Sequence, residues 1–200
     1  MKNSKVLLLL ALVVSLISFK ANAQDEENVW AVGFGANFVD VSPAGLGNVG
    51  DQIKDYLGTQ DWQSLSLLSR VYVARYLTSG IVVDAAGSIN IVDSANASDK
   101  PYYSIDLGAR YDLNNLFGHT GWFDPYVKLG LGTAWTDGDG LGLVISPSYG
   151  FNTWFNETVG LNFESAYKAS TLVGNTTDAI PSGYHFQHSI SLVFKFKENQ

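Results

Sequence analysis

The sequence contains no cysteine. That excludes disulfides, thiolate metal centres and a lipid-modified N-terminal cysteine. Basic residues are scarce as well: 12 Lys and Arg stand against 19 Asp and Glu, a formal net charge of −7. Nucleic-acid phosphates need basic partners, so no nucleic-acid partner is expected. Charged residues of both signs reach only 16%. Beyond Ala23 no run approaches the ~18–20 consecutive apolar residues that a membrane helix needs. A chain of this kind that enters a membrane must do so as a closed barrel, because only helices and barrels satisfy every backbone hydrogen bond in lipid.

What is present begins with a leader. Lys2 and Lys5 form a positive start, Val6 to Phe19 is almost wholly apolar, and Ala21-Asn22-Ala23 is a small-x-small cleavage pattern. This layout predicts a secretory signal peptide over residues 1–23, cut before Gln24. Its apolar run is shorter than the roughly 20 residues of a spanning helix. Cleavage removes Lys2, Lys5 and Lys20 and takes the formal charge from −7 to −10. Residues 24–200 are enough for one domain.

That domain alternates with period two almost throughout, which sends successive side chains to opposite faces of a sheet. The segment Tyr103 to Asp112 shows it best: Tyr103, Ile105, Leu107, Ala109 and Tyr111 oppose Ser104, Asp106, Gly108, Arg110 and Asp112. Val159 to Lys168 and Tyr184 to Phe196 are nearly as regular. Eight such segments are expected, the first from Trp30 to Phe38 and the weakest from about Leu65 to Leu77. In the weak one Arg70 and Arg75 fall on opposite faces, with Arg70 expected inside and Arg75 near an interface. The connections alternate in length. Asp40 to Ser64, Asp93 to Pro101, Asp137 to Gly140 and Ser170 to Ser182 are expected at one end. Thr78-Ser79-Gly80, Asn114 to Phe123 and Asn156-Glu157 are expected at the other. Outer-membrane barrels have short turns on the periplasmic side and longer loops opposite.

Alternation does not say which face looks outward, and a soluble lipocalin-like barrel would put the apolar face inside. Three patterns favour lipid. Trp30 and Phe38, Tyr103 and Tyr111, and Phe186 and Phe194 are paired eight residues apart on the apolar face. Eight residues rise about 27 Å along a strand, or roughly 20 Å along the normal at a ~40° tilt, close to the ~25 Å band between aromatic girdles. The polar face carries Arg70, Arg110 and Lys128 against Asp84, Asp106 and Glu164. These six are expected to point inward and pair with one another, since isolated charge in a narrow lumen is costly. Glycines thin that same face, as a crowded interior requires.

The third pattern is the last strand, which alternates aromatic and apolar residues and finishes at Phe196. With Tyr184, Phe194 and Phe196 it resembles the C-terminal assembly signal of bacterial outer-membrane barrels. The region 28–196 as a whole resembles the membrane domain of the OmpA family, and Trp30-Ala31-Val32-Gly33-Phe34-Gly35-Ala36-Asn37 is similar to Bacteroidetes forms. The resemblance implies an all-β, eight-stranded antiparallel up-and-down transmembrane β-barrel in the cell outer membrane. Its implied partners are outer-membrane lipid, lipopolysaccharide and the barrel-assembly machinery. Lys197-Glu198-Asn199-Gln200 depart from the usual terminal Phe, and the family's wall-tethering domain is not expected.

Little points to chemistry. The histidines are His119, His185 and His188. His188 and Ser189 face opposite ways, His188 with Ile190 supplies no nucleophile, and His185 meets at most Ser182 near the rim. Asp137-Gly138-Asp139-Gly140 lacks the further oxygen ligands of a calcium loop and reads as a tight hairpin. No catalytic residue, metal site or cofactor is expected. The expected role is structural or surface interaction around a plugged polar lumen. A small pore, a lipid-active outer-membrane enzyme and a soluble lipocalin-like binder stand as alternatives.

Overall fold

The structure is a computed structural model and describes residues 24–41, 62–94, 97–118, 121–137, 139–171, 176–177, 179–180 and 182–196. The expected signal peptide, His119 and residues 42–61 of the first long connection lie outside the described residues. Eight antiparallel strands form a closed barrel with neighbours in sequence order. They are β1 (Trp30–Asp40), β2 (Arg70–Thr78), β3 (Ile81–Ser94), β4 (Ala97–Asp112), β5 (Phe123–Thr136), β6 (Asp139–Trp154), β7 (Val159–Ser170) and β8 (Tyr184–Phe196). A single helical turn, α1 (Asn114–Phe117), sits between β4 and β5. Closure comes from β8 against β1, in register from Trp30 opposite Phe196 to Asp40 opposite Phe186.

The alternation of the sequence becomes the two sides of the wall, with polarity inverted relative to a soluble barrel. Outward positions hold exposed Val71, Ile105, Leu107, Leu129, Leu131 and Ile145, while inward Arg70, Asp84, Asp106, Arg110, Lys128 and Glu164 are all buried. A polar interior behind an apolar exterior is the reverse of the lipocalin-like arrangement and removes that alternative. Aromatic side chains gather toward both ends of the outer wall. Tyr103 stacks on Trp135 near the loop end, and Phe123, Phe151 and Phe163 form a chain near the turn end. Inside, glycine makes room for large rings: a Cβ on Gly33 would lie 2.0 Å from the ring of Tyr72.

Three boundaries differ from the sequence expectation. The loop expected at Asp93 to Pro101 is mostly strand, because β3 runs to Ser94 and β4 starts at Ala97. The turn expected at Asn114 to Phe123 holds α1. The strand expected from Leu65 begins only at Arg70. Gly35 faces Arg70, so an unbroken ladder would set Val39 opposite Ser66, yet Val39 bridges Gln63. The extra residues bulge outward and leave Leu67 and Leu68 exposed. Side chains bridge the interruption. Asn37 Nδ2 donates to the carbonyls of Ser69 (2.9 Å) and Ile89 (2.8 Å), and Asn90 Nδ2 donates to that of Gln63 (2.8 Å).

Candidate functional site

The inner faces of the eight strands build a stack of polar groups along the barrel axis. At the turn end Gln24 is buried, donating through Nε2 to the Val29 carbonyl (2.8 Å) and accepting from the Arg110 guanidinium (2.8 Å). Arg110 also lies over the Tyr126 ring, 5.0 Å from its centre. Asp124 accepts from Asn114 Nδ2 (2.9 Å) and from the Trp154 indole N–H. The Lys195 ammonium stands 4.2 Å over the Trp154 ring.

The middle layer holds ion pairs. Lys128 reaches Asp84 (2.7 Å) and Glu164 (3.1 Å), and Arg70 reaches Glu164 (3.1 Å) and Ser88 (3.2 Å). Tyr126 O–H donates to Glu164 (3.2 Å), and Asn162 Nδ2 donates in turn to the Tyr126 oxygen (2.9 Å). These residues come from β2, β3, β5 and β7, so the ion pairs join strands that are not neighbours and cross the barrel, while the Arg70–Ser88 bond joins the paired strands β2 and β3. Beside them Asp106 on β4 pairs with Lys168 on β7 (2.7 Å) and accepts from Ser104 (3.2 Å).

Toward the loop end the lumen changes character. Tyr102 and His185 share a hydrogen bond of 2.8 Å. Around Tyr102 lies an apolar cluster of Val39, Val41, Val92, Ala134, Leu141 and Val144, capped by Ala179 and Ile180 of the β7–β8 connection. A polar lumen was expected, and this apolar layer departs from it. Apolar inward positions at strand ends read, in sequence, as lapses of alternation.

The charged side chains singled out from the sequence each have a definite place. Arg70, Asp84, Lys128 and Glu164 touch one another. Asp106 does not join them, because its partner is Lys168, an inward residue near the end of its strand that sequence reasoning passed over. Arg110 faces Gln24 and Tyr126, not a carboxylate. The six carry equal numbers of each sign, but among the described residues Lys168, Lys195 and Asp124 are buried in the lumen with them, so the six are not a closed set that pairs only within itself. Tyr184 packs on Tyr167, Phe194 stacks on Phe34 at 5.6 Å, and Phe196 is exposed on the outer wall. Arg75 lies on the outer wall over Trp30, 5.2 Å from the ring centre. Asp137 pairs with Lys100 at the rim.

Two histidines are not simple rim residues. His185 is wholly buried in the lumen. His188 points outward but lies beneath Trp62, stacked at 4.3 Å, and its Nδ1 is 2.9 Å from Ser165 Oγ. The absence of a nucleophile near His188, expected from its own strand, is corrected by the register that sets Ser165 of β7 directly opposite.

No family model matches the sequence, and no curated protein matches it. Solved structures do match the fold. Neisserial surface protein A aligns with a TM-score of 0.53 at 17% identity, over 84% of this chain and 97% of that one. The outer membrane protein OprG from Pseudomonas aeruginosa aligns with a TM-score of 0.51 at 14% identity, over 88% and 100%. At these identities the likeness is one of fold: this chain has the eight-stranded outer-membrane barrel fold, which implies contact with membrane lipid.

Proposed function

We propose that the protein is an integral outer-membrane barrel with a closed lumen and a structural or surface-interaction role, its loops meeting partners at the cell surface. In this reading the barrel performs no catalysis, needs no cofactor, reaches the membrane through the barrel-assembly machinery and contacts lipopolysaccharide at its loop end. Kinship with the OmpA-family membrane domain and a Bacteroidetes origin belong to the same proposal and rest on the final strand and the Trp30 to Asn37 segment. The observation that carries it is the lumen. Cross-barrel pairs of Lys128, Glu164, Arg70 and Asp84 occupy the middle, and Ile180 with its apolar neighbours covers the loop end. An eight-stranded barrel has an interior just wide enough for side chains to fill. The refolded protein is therefore expected to show no resolved single-channel steps in a planar bilayer. A Lys128→Ala, Glu164→Ala double variant, which removes two crossing side chains, is expected to conduct more. Large resting conductance of the wild type would replace this reading with the pore.

The Ser165–His188 pair favours one second reading, a lipid-active enzyme. A serine hydroxyl held at 2.9 Å from an imidazole nitrogen can lose its proton to that nitrogen while attacking an acyl carbonyl. The pair faces the side of the wall where lipid esters lie, with Trp62 as its cover. A fluorophosphonate probe is then expected to label Ser165, faster in Trp62→Ala and not at all in Ser165→Ala. No labelling of the wild type or of Trp62→Ala removes this reading.

A further inference from the structure

The β4–β5 connection at the turn end has the wrong composition for a turn in water. Leu113 to Trp122 contains no Asp, Glu, Lys or Arg. Its asparagines are spent on the barrel. Asn114 Nδ2 donates to Asp124 (2.9 Å) and to the Phe123 carbonyl (2.9 Å). Asn115 lies against the β2–β3 turn, where a Cβ added at Gly80 would strike its side-chain amide. What the connection leaves outside is apolar: Phe117 is 82% exposed, Leu116 62% and Trp122 59%. The backbone is tied to the barrel at both ends. Leu113 N–H donates to the Pro125 carbonyl (2.9 Å), and the Trp122 carbonyl accepts from Trp154 N–H (2.8 Å). Gly118 ends α1 at a φ of 101°, which a residue with a Cβ adopts only under strain.

Through Trp122 this apolar surface is continuous with the lipid-facing wall. The Trp122 ring centre lies 5.5 Å from that of Phe123, Phe123 5.2 Å from Phe151, and Phe151 5.5 Å from Phe163. The row is the aromatic girdle of the turn end, and at β5 it runs off the sheet into the connection. Tryptophan favours the level where headgroups meet acyl chains. Other segments at the same end are built for water: Glu157 is exposed in the β6–β7 turn, and Glu26 and Glu27 are exposed before β1.

We propose that the β4–β5 connection is a one-sided membrane anchor: Leu116, Phe117 and Trp122 enter the headgroup and upper acyl layer of the phospholipid leaflet at the turn end and fix the depth of the barrel on its β4–β5 side. The anchor rests on the membrane placement proposed above. Its partner is phospholipid because the apolar surface joins a wall that lipid already covers. It brings no charged side chain for a protein to read, whereas protein interfaces carry a polar rim around their apolar core.

The chain has no cysteine, so a nitroxide can be attached at one introduced position at a time. Leu116→Cys, Leu129→Cys and Glu157→Cys are labelled and refolded into vesicles of phosphatidylethanolamine and phosphatidylglycerol. Collisions of each label with oxygen, which concentrates in lipid, are compared with collisions with a water-soluble nickel chelate present on both sides. The label at Leu129, on the outer wall, is expected to favour oxygen, and the label at Glu157 to favour nickel. The label at Leu116 is expected to favour oxygen, as Leu129 does. Phe117→Asp in the Leu116→Cys protein is expected to abolish that preference, because a carboxylate stays with water. Heat-dependent gel mobility shows that each variant is folded. Nickel preference at Leu116 beside oxygen preference at Leu129 sinks the anchor alone, and nickel preference at Leu129 sinks the membrane placement with it. Shielding of the Leu116 label from both reagents overturns the anchor in favour of a protein contact, with dipolar broadening of the spectrum marking a second copy. An oxygen preference that survives Phe117→Asp overturns the role given to the apolar side chains.

Discussion

Deletion of residues 184–200 is expected to abolish the folded barrel, seen as complete loss of the heat-modifiable species on unboiled gels. β8 is paired on both sides from Phe186 to Phe194, with β1 from Trp30 to Asp40 and with β7 from Val159 to Ala169. Its removal leaves two strands with unpaired N–H and C=O groups facing hydrocarbon, each costing several kcal/mol. The lumen loses His185, Gln187 and Lys195 at the same time. Closing the gap as a seven-stranded barrel would set β7 beside β1, two strands that run in the same direction, so antiparallel pairing cannot be restored. Phe196→Ala is a milder test. It removes an exposed ring at the turn end and keeps every backbone pair, so a reduced yield of folded protein is expected rather than none. Normal amounts of heat-modifiable protein after the deletion would show that another segment closes the barrel.

Lys128→Met is expected to be the most damaging single change in the lumen. Its ammonium serves two carboxylates, Asp84 at 2.7 Å and Glu164 at 3.1 Å, and the three side chains are nearly inaccessible to solvent. Removing one partner of a buried pair leaves charge uncompensated and costs on the order of 3–5 kcal/mol. Here two acids lose their cation, although Glu164 keeps Arg70. Asp84→Leu made together with Lys128→Met is expected to cost less than the sum of the two single changes, because the second removes a charge that the first left stranded. Asp106→Ala behaves the same way toward Lys168, and the pair of changes Asp106→Leu and Lys168→Met recovers part of the loss. Urea unfolding of the folded barrel in lipid vesicles measures these differences. Energies that simply add would show that the charges do not act on one another. The net value of each pair against an apolar replacement is a separate quantity and is small for buried ion pairs.

The wall of the barrel was legible residue by residue. Tyr103 to Asp112 alternates without a break, so the faces of β4 follow from the two-residue period of an extended chain. The same rule put Arg70 inside and Arg75 outside, on a segment whose start was misjudged. That start was not legible, because Leu65, Leu67 and Leu68 are as apolar as strand residues. What ends β2 at Arg70 is the pairing of Gln63 with Val39, a contact made by a residue further back along the chain. The loop misplaced at Asp93 to Pro101 has a local cause: its small and polar residues resemble a turn, yet each strand extends because its partner continues.

The sequence by itself determined the number of strands, their order and which side chains share a face, since each follows from near neighbours in the chain. Only the tertiary structure decided which of the inward groups meet. Strand tilt and shear bring residues of distant strands to one height, so Asp106 finds Lys168 while Arg110, four residues along the same face, finds Gln24. The cross-strand register likewise set Ser165 beside His188. Register and shear are properties of the closed sheet, and no local period in the chain encodes them.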